Sequence, residues 1–159
     1  MKKLALLFAG LSLFVATGCN NDDDDNTMEY PIVGTWQPMK VVVTSVPIVG
    51  TPVSDGISFD TDCQKTSRWV FAAASSGKRT ENGDGATPGT CQPTFDRNFT
   101  YTYDKDSKAI QLKYQGIVEP DKGSVVTLND TTLNIKFEDT SDPTEYKSMT
   151  YTLKRIPQQ

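Results

Sequence analysis

The chain contains no histidine. That removes the commonest general base, the commonest zinc ligand and any Ser-His or Cys-His nucleophile pair, so no enzymatic activity is expected. No basic run is present either. The 16 Lys+Arg face 20 Asp+Glu for a net charge of −4, which gives no electrostatic support for nucleic-acid binding. No apolar stretch reaches the ~20 residues of a membrane-spanning helix. Leucine and alanine are scarce beyond Cys19, where only 4 Leu and 5 Ala stand against 19 Thr and 11 Val. β-Branched side chains fit a pleated surface and lose χ1 freedom on a helix, so the body of the chain has a strand-forming composition. Its length suits one folded domain.

What is present begins with an address. Met1-Lys2-Lys3 is cationic, residues 4–15 are apolar apart from Gly10 and Ser12, and Ala16-Thr17-Gly18 precedes Cys19. The run suits the apolar core of a signal peptide. The segment resembles the lipobox of bacterial lipoproteins, in which signal peptidase cuts before a cysteine that becomes diacylglyceryl-modified; Ala16 stands where leucine is usual. An ordinary secretory signal is the alternative. The resemblance implies a signal peptide over residues 1–18 and lipidation of Cys19. It also implies attachment to the outer membrane of the cell envelope through that N-terminal lipid. Two or more acyl chains hold a protein stably on a leaflet, each buried CH₂ contributing ~0.8 kcal/mol.

Residues 19–29 read as an acidic linker. Asp22-Asp23-Asp24-Asp25 repel one another and bury nothing, so the segment is expected to be disordered. The run also resembles the surface-export signal of some outer-membrane lipoproteins. Calcium binding ranks last, because an unstructured carboxylate cluster binds weakly and unselectively. Loss of Lys2 and Lys3 and separation of the four linker aspartates leaves a charge of about −2 on the body.

Residues 30–157 read as one domain with period-two patterning. A first strand over 32–44 carries Pro38, which marks an edge or a bulge. A long connection follows over 46–60. Residues 61–66 suit one helical turn capped by Asp60. Strands are expected at 67–74 and 78–81, and 82–93 reads as a loop. Phe99, Tyr101 and Tyr103 then alternate with Asn98, Thr100 and Thr102. Later strands over 109–115, 123–128 and 131–138 align Ile110, Leu112 and Tyr114, then Leu133, Ile135 and Phe137. The last, over 146–156, puts Met149, Tyr151, Leu153 and Arg155 on one side. About eight strands joined by hairpins predict an all-β fold: an antiparallel up-and-down barrel, with a sandwich as the alternative. Asp60, Asp62, Asp84, Asp104 and Asp106 fall in expected loops, where turn chemistry explains them better than a calcium loop does. No cofactor or metal site is expected.

Gly34-Thr35-Trp36 opens the first strand and Arg155 closes the last. The pairing resembles that of lipocalins, where an arginine of the final strand packs over the indole of a Gly-x-Trp at one end of the barrel. The chain also resembles the lipocalin-like domains of small bacterial lipoproteins. Further matching features are Cys63 before Trp69-Val70-Phe71, Ser76-Gly77-Lys78, Cys91, residues 126–133 and Tyr151-Thr152-Leu153-Lys154-Arg155. The resemblance implies a barrel floor made by Gly34, Trp36 and Arg155, and more about fold and address than about a reaction.

Cys63 and Cys91 are the thiols left after lipidation, and in an oxidising compartment a disulfide is the leading reading, with two unpaired thiols as the alternative. Phe99, Tyr101, Tyr103, Tyr114, Phe137 and Tyr151, with Trp36, are candidates to line the interior. An eight-stranded barrel is just wide enough to be filled by side chains or to hold one small ligand. Two functions therefore stand side by side. One is a non-catalytic binder of a small apolar or amphipathic ligand, with residues 46–66 as a lid. The other is a filled barrel whose loops, 46–66 and 82–93, bind a protein or glycan partner.

Overall fold

Nine strands form a single antiparallel sheet in the computed structural model, which describes residues 30–157. The signal peptide, the lipidated Cys19 and the acidic linker expected over residues 1–29 lie outside the described residues. The strands are β1 (Gly34–Pro47), β2 (Val53–Ser58), β3 (Arg68–Ala72), β4 (Ser76–Asp84) and β5 (Cys91–Tyr103). There follow β6 (Ala109–Tyr114), β7 (Asp121–Leu128), β8 (Thr132–Asp139) and β9 (Glu145–Ile156). β1 pairs with β9 along almost its whole length and with β3 at Gly34–Trp36, so β1 and β3–β9 close into an eight-stranded barrel with no open edge between first and last strands. The β1–β9 register shifts between Pro38 and Lys40, which is the bulge Pro38 signals in the sequence.

β2 corrects the expected connection over 46–60. It pairs with Lys40–Ser45 of β1, beyond the point where β3 leaves, and every residue in it is exposed. A strand that buries neither face carries no alternation for a sequence to display. The expected loop over 82–93 is also shorter than predicted, because β4 and β5 stay paired out to Asp84 and Cys91, leaving 85–90 to turn the chain. The single helical turn is present as a 3₁₀ turn, Gln64–Thr66, but Asp60 does not cap it. Thr61 Oγ1 accepts the Gln64 N–H while Gln64 Oε1 accepts the N–H groups of Thr61 and Asp60, a reciprocal capping-box arrangement.

Turn chemistry punctuates the strands. Asp104 Oδ1 accepts the Ser107 N–H, and Asn129 Oδ1 accepts those of Thr131 and Thr132. Inside, Trp36, Trp69, Phe71, Ile110, Leu112, Leu133, Ile135 and Leu153 are essentially sealed from solvent. Each such side chain contributes about 1.5–3 kcal/mol on burial, and together they fill the barrel nearest the start of β1. That end is a closed floor. Arg155 Cζ lies 4.0 Å from the Trp36 ring centroid, and its guanidinium donates to the carbonyls of Pro31, Val33 and Asp130. Trp36 Nε1 donates to Ile32 O at 2.9 Å, so both partners also hold the incoming chain. Gly34 has φ +147°, and a Cβ there would sit 2.6 Å from Arg155 Nη1.

The opposite end is the mouth. There the β1–β2 hairpin and the β4–β5 arm reach out, and a Cys63–Cys91 disulfide with Cα atoms 5.2 Å apart ties the 3₁₀ turn to the start of β5.

Candidate functional site

Above the apolar filling lies a layer of buried polar groups. Alternation along β4 turns Gly77, Arg79 and Glu81 to the same face, and Arg79 is only 9% exposed. Its Nε donates to Glu81 Oε1 at 2.8 Å, and Nη2 forms an ion pair with the same oxygen at 2.8 Å; Nη1 donates to the Tyr114 hydroxyl at 3.2 Å and Nη2 to that of Tyr151 at 2.9 Å. The guanidinium carbon lies 4.3 Å from the Trp69 ring centroid, 4.6 Å from Phe95 and 5.0 Å from Tyr151. Trp69 Nε1 donates to the same Glu81 oxygen at 3.3 Å. Burial disfavours the Arg79 charge, but Tyr114, Tyr151 and Glu81 outweigh it and the guanidinium stays protonated. Burial pushes the Tyr114 hydroxyl up to about 12, with Arg79 pulling the other way, and raises Tyr151 for the same reason. Both phenols are therefore neutral acceptors at physiological pH.

Toward solvent from this layer is a cup of about 500 Å³. Val43, Met149 and Phe137 stand opposite one another across β1, β9 and β8 and give it an apolar wall. Met149 belongs to the expected inward row but is 41% exposed, because that row reaches solvent at the mouth. β7 begins two residues earlier than expected and places Asp121 on the face shared with Gly123 and buried Val125. Asp121 also lines the cup, with Glu119 and Pro120 of the preceding loop. Burial raises the Asp121 carboxyl above the usual range, with Arg79 partly offsetting it. Among the described residues its carboxylate has no hydrogen-bond or ion-pair partner.

A larger depression, about 760 Å³, lies against the outer wall, where Val70, Ala72, Lys78, Thr100, Lys113 and Ile117 contribute. Of the aromatic residues expected to line the interior, Phe99 and Tyr114 border this outer depression and Phe137 borders the mouth cup. Tyr101, Tyr103 and Tyr151 border neither. Tyr101 is buried with its hydroxyl donating to Ala72 O, Tyr103 packs at the edge of the core, and Tyr151 serves the Arg79 layer. Phe71, Phe99, Tyr101 and Tyr114 form a chain of edge-to-face contacts with centroids 5.2–5.7 Å apart for the closest pairs. Sequence reasoning missed Arg79, Glu81 and Asp121. The one available signal was an opposite-charge pair spaced two apart on a strand, which puts both groups on one face.

A family model described as a lipocalin-like domain matches residues 32–135. Among solved structures, a deswapped triple mutant of bovine odorant binding protein is similar, at 11% identity over 79% of this chain and 74% of that chain, with a TM-score of 0.41. No curated protein matches.

Proposed function

We propose, from the premise that this chain belongs to the lipocalin-like domain family, that it is a lipid-anchored protein of the cell envelope. Its barrel binds a small apolar or amphipathic ligand at the mouth without chemical turnover. The observation that carries this is the cup of about 500 Å³, which joins an apolar wall of Val43, Phe137 and Met149 to a few polar groups. That combination of size and lining suits small-molecule sites. The absence of histidine from the sequence supports binding over catalysis.

Titration of the soluble body with N-phenyl-1-naphthylamine, a neutral dye that brightens in apolar surroundings, tests the reading. Saturable one-to-one binding is expected. Met149→Lys should weaken it, since that exposed side chain can change without disturbing the core. No saturable binding, or binding indifferent to Met149→Lys, rejects the mouth as the site. For the anchor, Cys19→Ala should move the protein from the membrane fraction to the soluble one and abolish incorporation of labelled fatty acid.

The filled lower barrel favours a second reading, in which the loops recognise a protein or glycan. Ile48, Val49 and Val53 at the tip of the β1–β2 hairpin are strongly exposed, Val49 by 89%. If that reading holds, dye binding is absent and replacing these three side chains abolishes capture of an envelope partner.

A further inference from the structure

The polar groups inside the barrel do not balance in charge. Arg79 and Glu81 form one ion pair at 2.8 Å, with Glu81 also accepting from Trp69. Asp121 is left over. It lies half-buried on the inward face of β7, and Arg79 is the cation that acts on it, yet the two make no ion pair. The donors of Arg79 are already directed to Glu81, Tyr114 and Tyr151. A carboxylate turned into a part-apolar cavity with no partner costs free energy that a bound cation would recover.

The rim has the same bias. Of its two lysines, Lys147 is held by Glu145 at 2.6 Å, leaving Lys122 against Glu119 and Asp139. Glu138 is neutralised by Lys136 at 2.7 Å and adds nothing. Among the charged side chains that line the cup, carboxylates thus outnumber ammonium groups, a bias that favours cations over carboxylates.

We propose that the mouth cup takes an amphipathic cation, with its apolar body against Val43, Met149 and Phe137 and its ammonium group at the Asp121 carboxylate. The proposal rests on the mouth as a binding site and adds the chemical class of the ligand. Asp121 is then the specificity-determining residue. The Arg79 charge is already spent on Glu81 and its other donors on two tyrosine hydroxyls, so it does not compete for the carboxylate as an ion-pair partner.

The test uses three ligands of one chain length, decylammonium, decanol and decanoate, each displacing N-phenyl-1-naphthylamine from the soluble body. Decylammonium is expected to bind about tenfold or more tightly than decanol, the range for a hydrogen bond to a charged group, and decanoate more weakly than either. Asp121→Asn should erase the preference for decylammonium over decanol, and Asp121→Glu should retain part of it. Equal affinities, or preference for decanoate, overturn the cation assignment and leave the binding reading intact. A preference that survives in Asp121→Asn overturns the role of Asp121. Failure of all three ligands and of the dye rejects the mouth as a binding site, and the cation assignment with it.

Discussion

Arg79→Met is the perturbation that the interior should resent most. Methionine keeps an unbranched apolar stem of similar reach, so much of the packing against Trp69, Phe95 and Tyr151 survives. What disappears is the charge, together with the hydrogen bonds to the Tyr114 and Tyr151 hydroxyls. Glu81, whose side chain is 14% exposed, then stays beside Trp69 as an unpaired carboxylate. Removing one partner of a buried pair costs about 3–5 kcal/mol, mostly as the desolvation of the charge left behind. Against a total stability of about 5–15 kcal/mol for a domain, this is roughly a fifth or more of the margin. Glu81→Gln keeps an acceptor for Trp69 and removes the other charge. The double variant should therefore recover at least about 2 kcal/mol relative to the sum of the single losses. Urea unfolding followed by tryptophan fluorescence measures all four corners, with Trp69 reporting from the cluster and Trp36 from the floor. A loss below about 1 kcal/mol for Arg79→Met, or additive single losses, would refute the account of Arg79 and Glu81 as one desolvated unit.

Other perturbations read other parts of the molecule. Replacing Cys63 and Cys91 with serine opens a loop whose ends are 28 residues apart, and on chain entropy should cost roughly 3–4 kcal/mol in the same urea assay; an unchanged midpoint would show that the mouth does not need the bond. Gly34→Ala should cost about 1–3 kcal/mol, because φ there is outside the range of L-residues. Part of that loss should vanish in an Arg155→Ala background, where the Nη1 that the new Cβ would meet is gone; strict additivity would refute the contact. Asp121 has a folded pKa raised above its unfolded value, so the folded state holds the extra proton and stability falls as pH rises from the unfolded value through the raised one. Asp121→Asn should therefore melt higher than the parent at pH 7 and lose that advantage at pH 3; a lower melting temperature at neutral pH would mean that the carboxylate has a partner. Arg79 and Glu81 on β4, Tyr114 on β6, Tyr151 on β9 and the nearby Glu119 and Lys122 are unchanged in that comparison.

Some of this architecture was legible in the residues. Phe99, Tyr101, Ile110, Leu112, Leu133, Ile135 and Leu153 alternate with polar neighbours because one face of each strand is wet, and that pattern survives in the sequence. Pro38 signals its bulge because a residue without an N–H cannot continue the ladder. β2 left no trace for the opposite reason: VSDGIS buries nothing, and its pairing with β1 is a backbone matter. The outer part of the β4–β5 arm was hidden in the same way, since Asn82, Gly83 and Asp84 read as turn residues although they remain paired. Arg79 was masked by its own chemistry. Lys78-Arg79-Thr80-Glu81 resembles a solvated strand, and only the tertiary arrangement of Trp69, Phe95 and two tyrosines turns that face inward.

The Arg79 layer also sets the depth to which the barrel can be entered. Below it the interior is closed by side chains with no solvent exposure, and above it lies the cup. A ligand chain pushed past the mouth would have to part Arg79 from Glu81 and the two hydroxyls, at the same 3–5 kcal/mol as the unpaired carboxylate costs. Each methylene buried returns only ~0.8 kcal/mol, so roughly four to six would be consumed before deeper entry gained anything, and the space to receive them is already filled. On the proposed binding reading, a ligand is therefore held above the layer. On that reading its apolar part is bounded by the cup rather than by the barrel's length, and the cation proposal makes the group that reaches Asp121 the one that distinguishes one ligand from another.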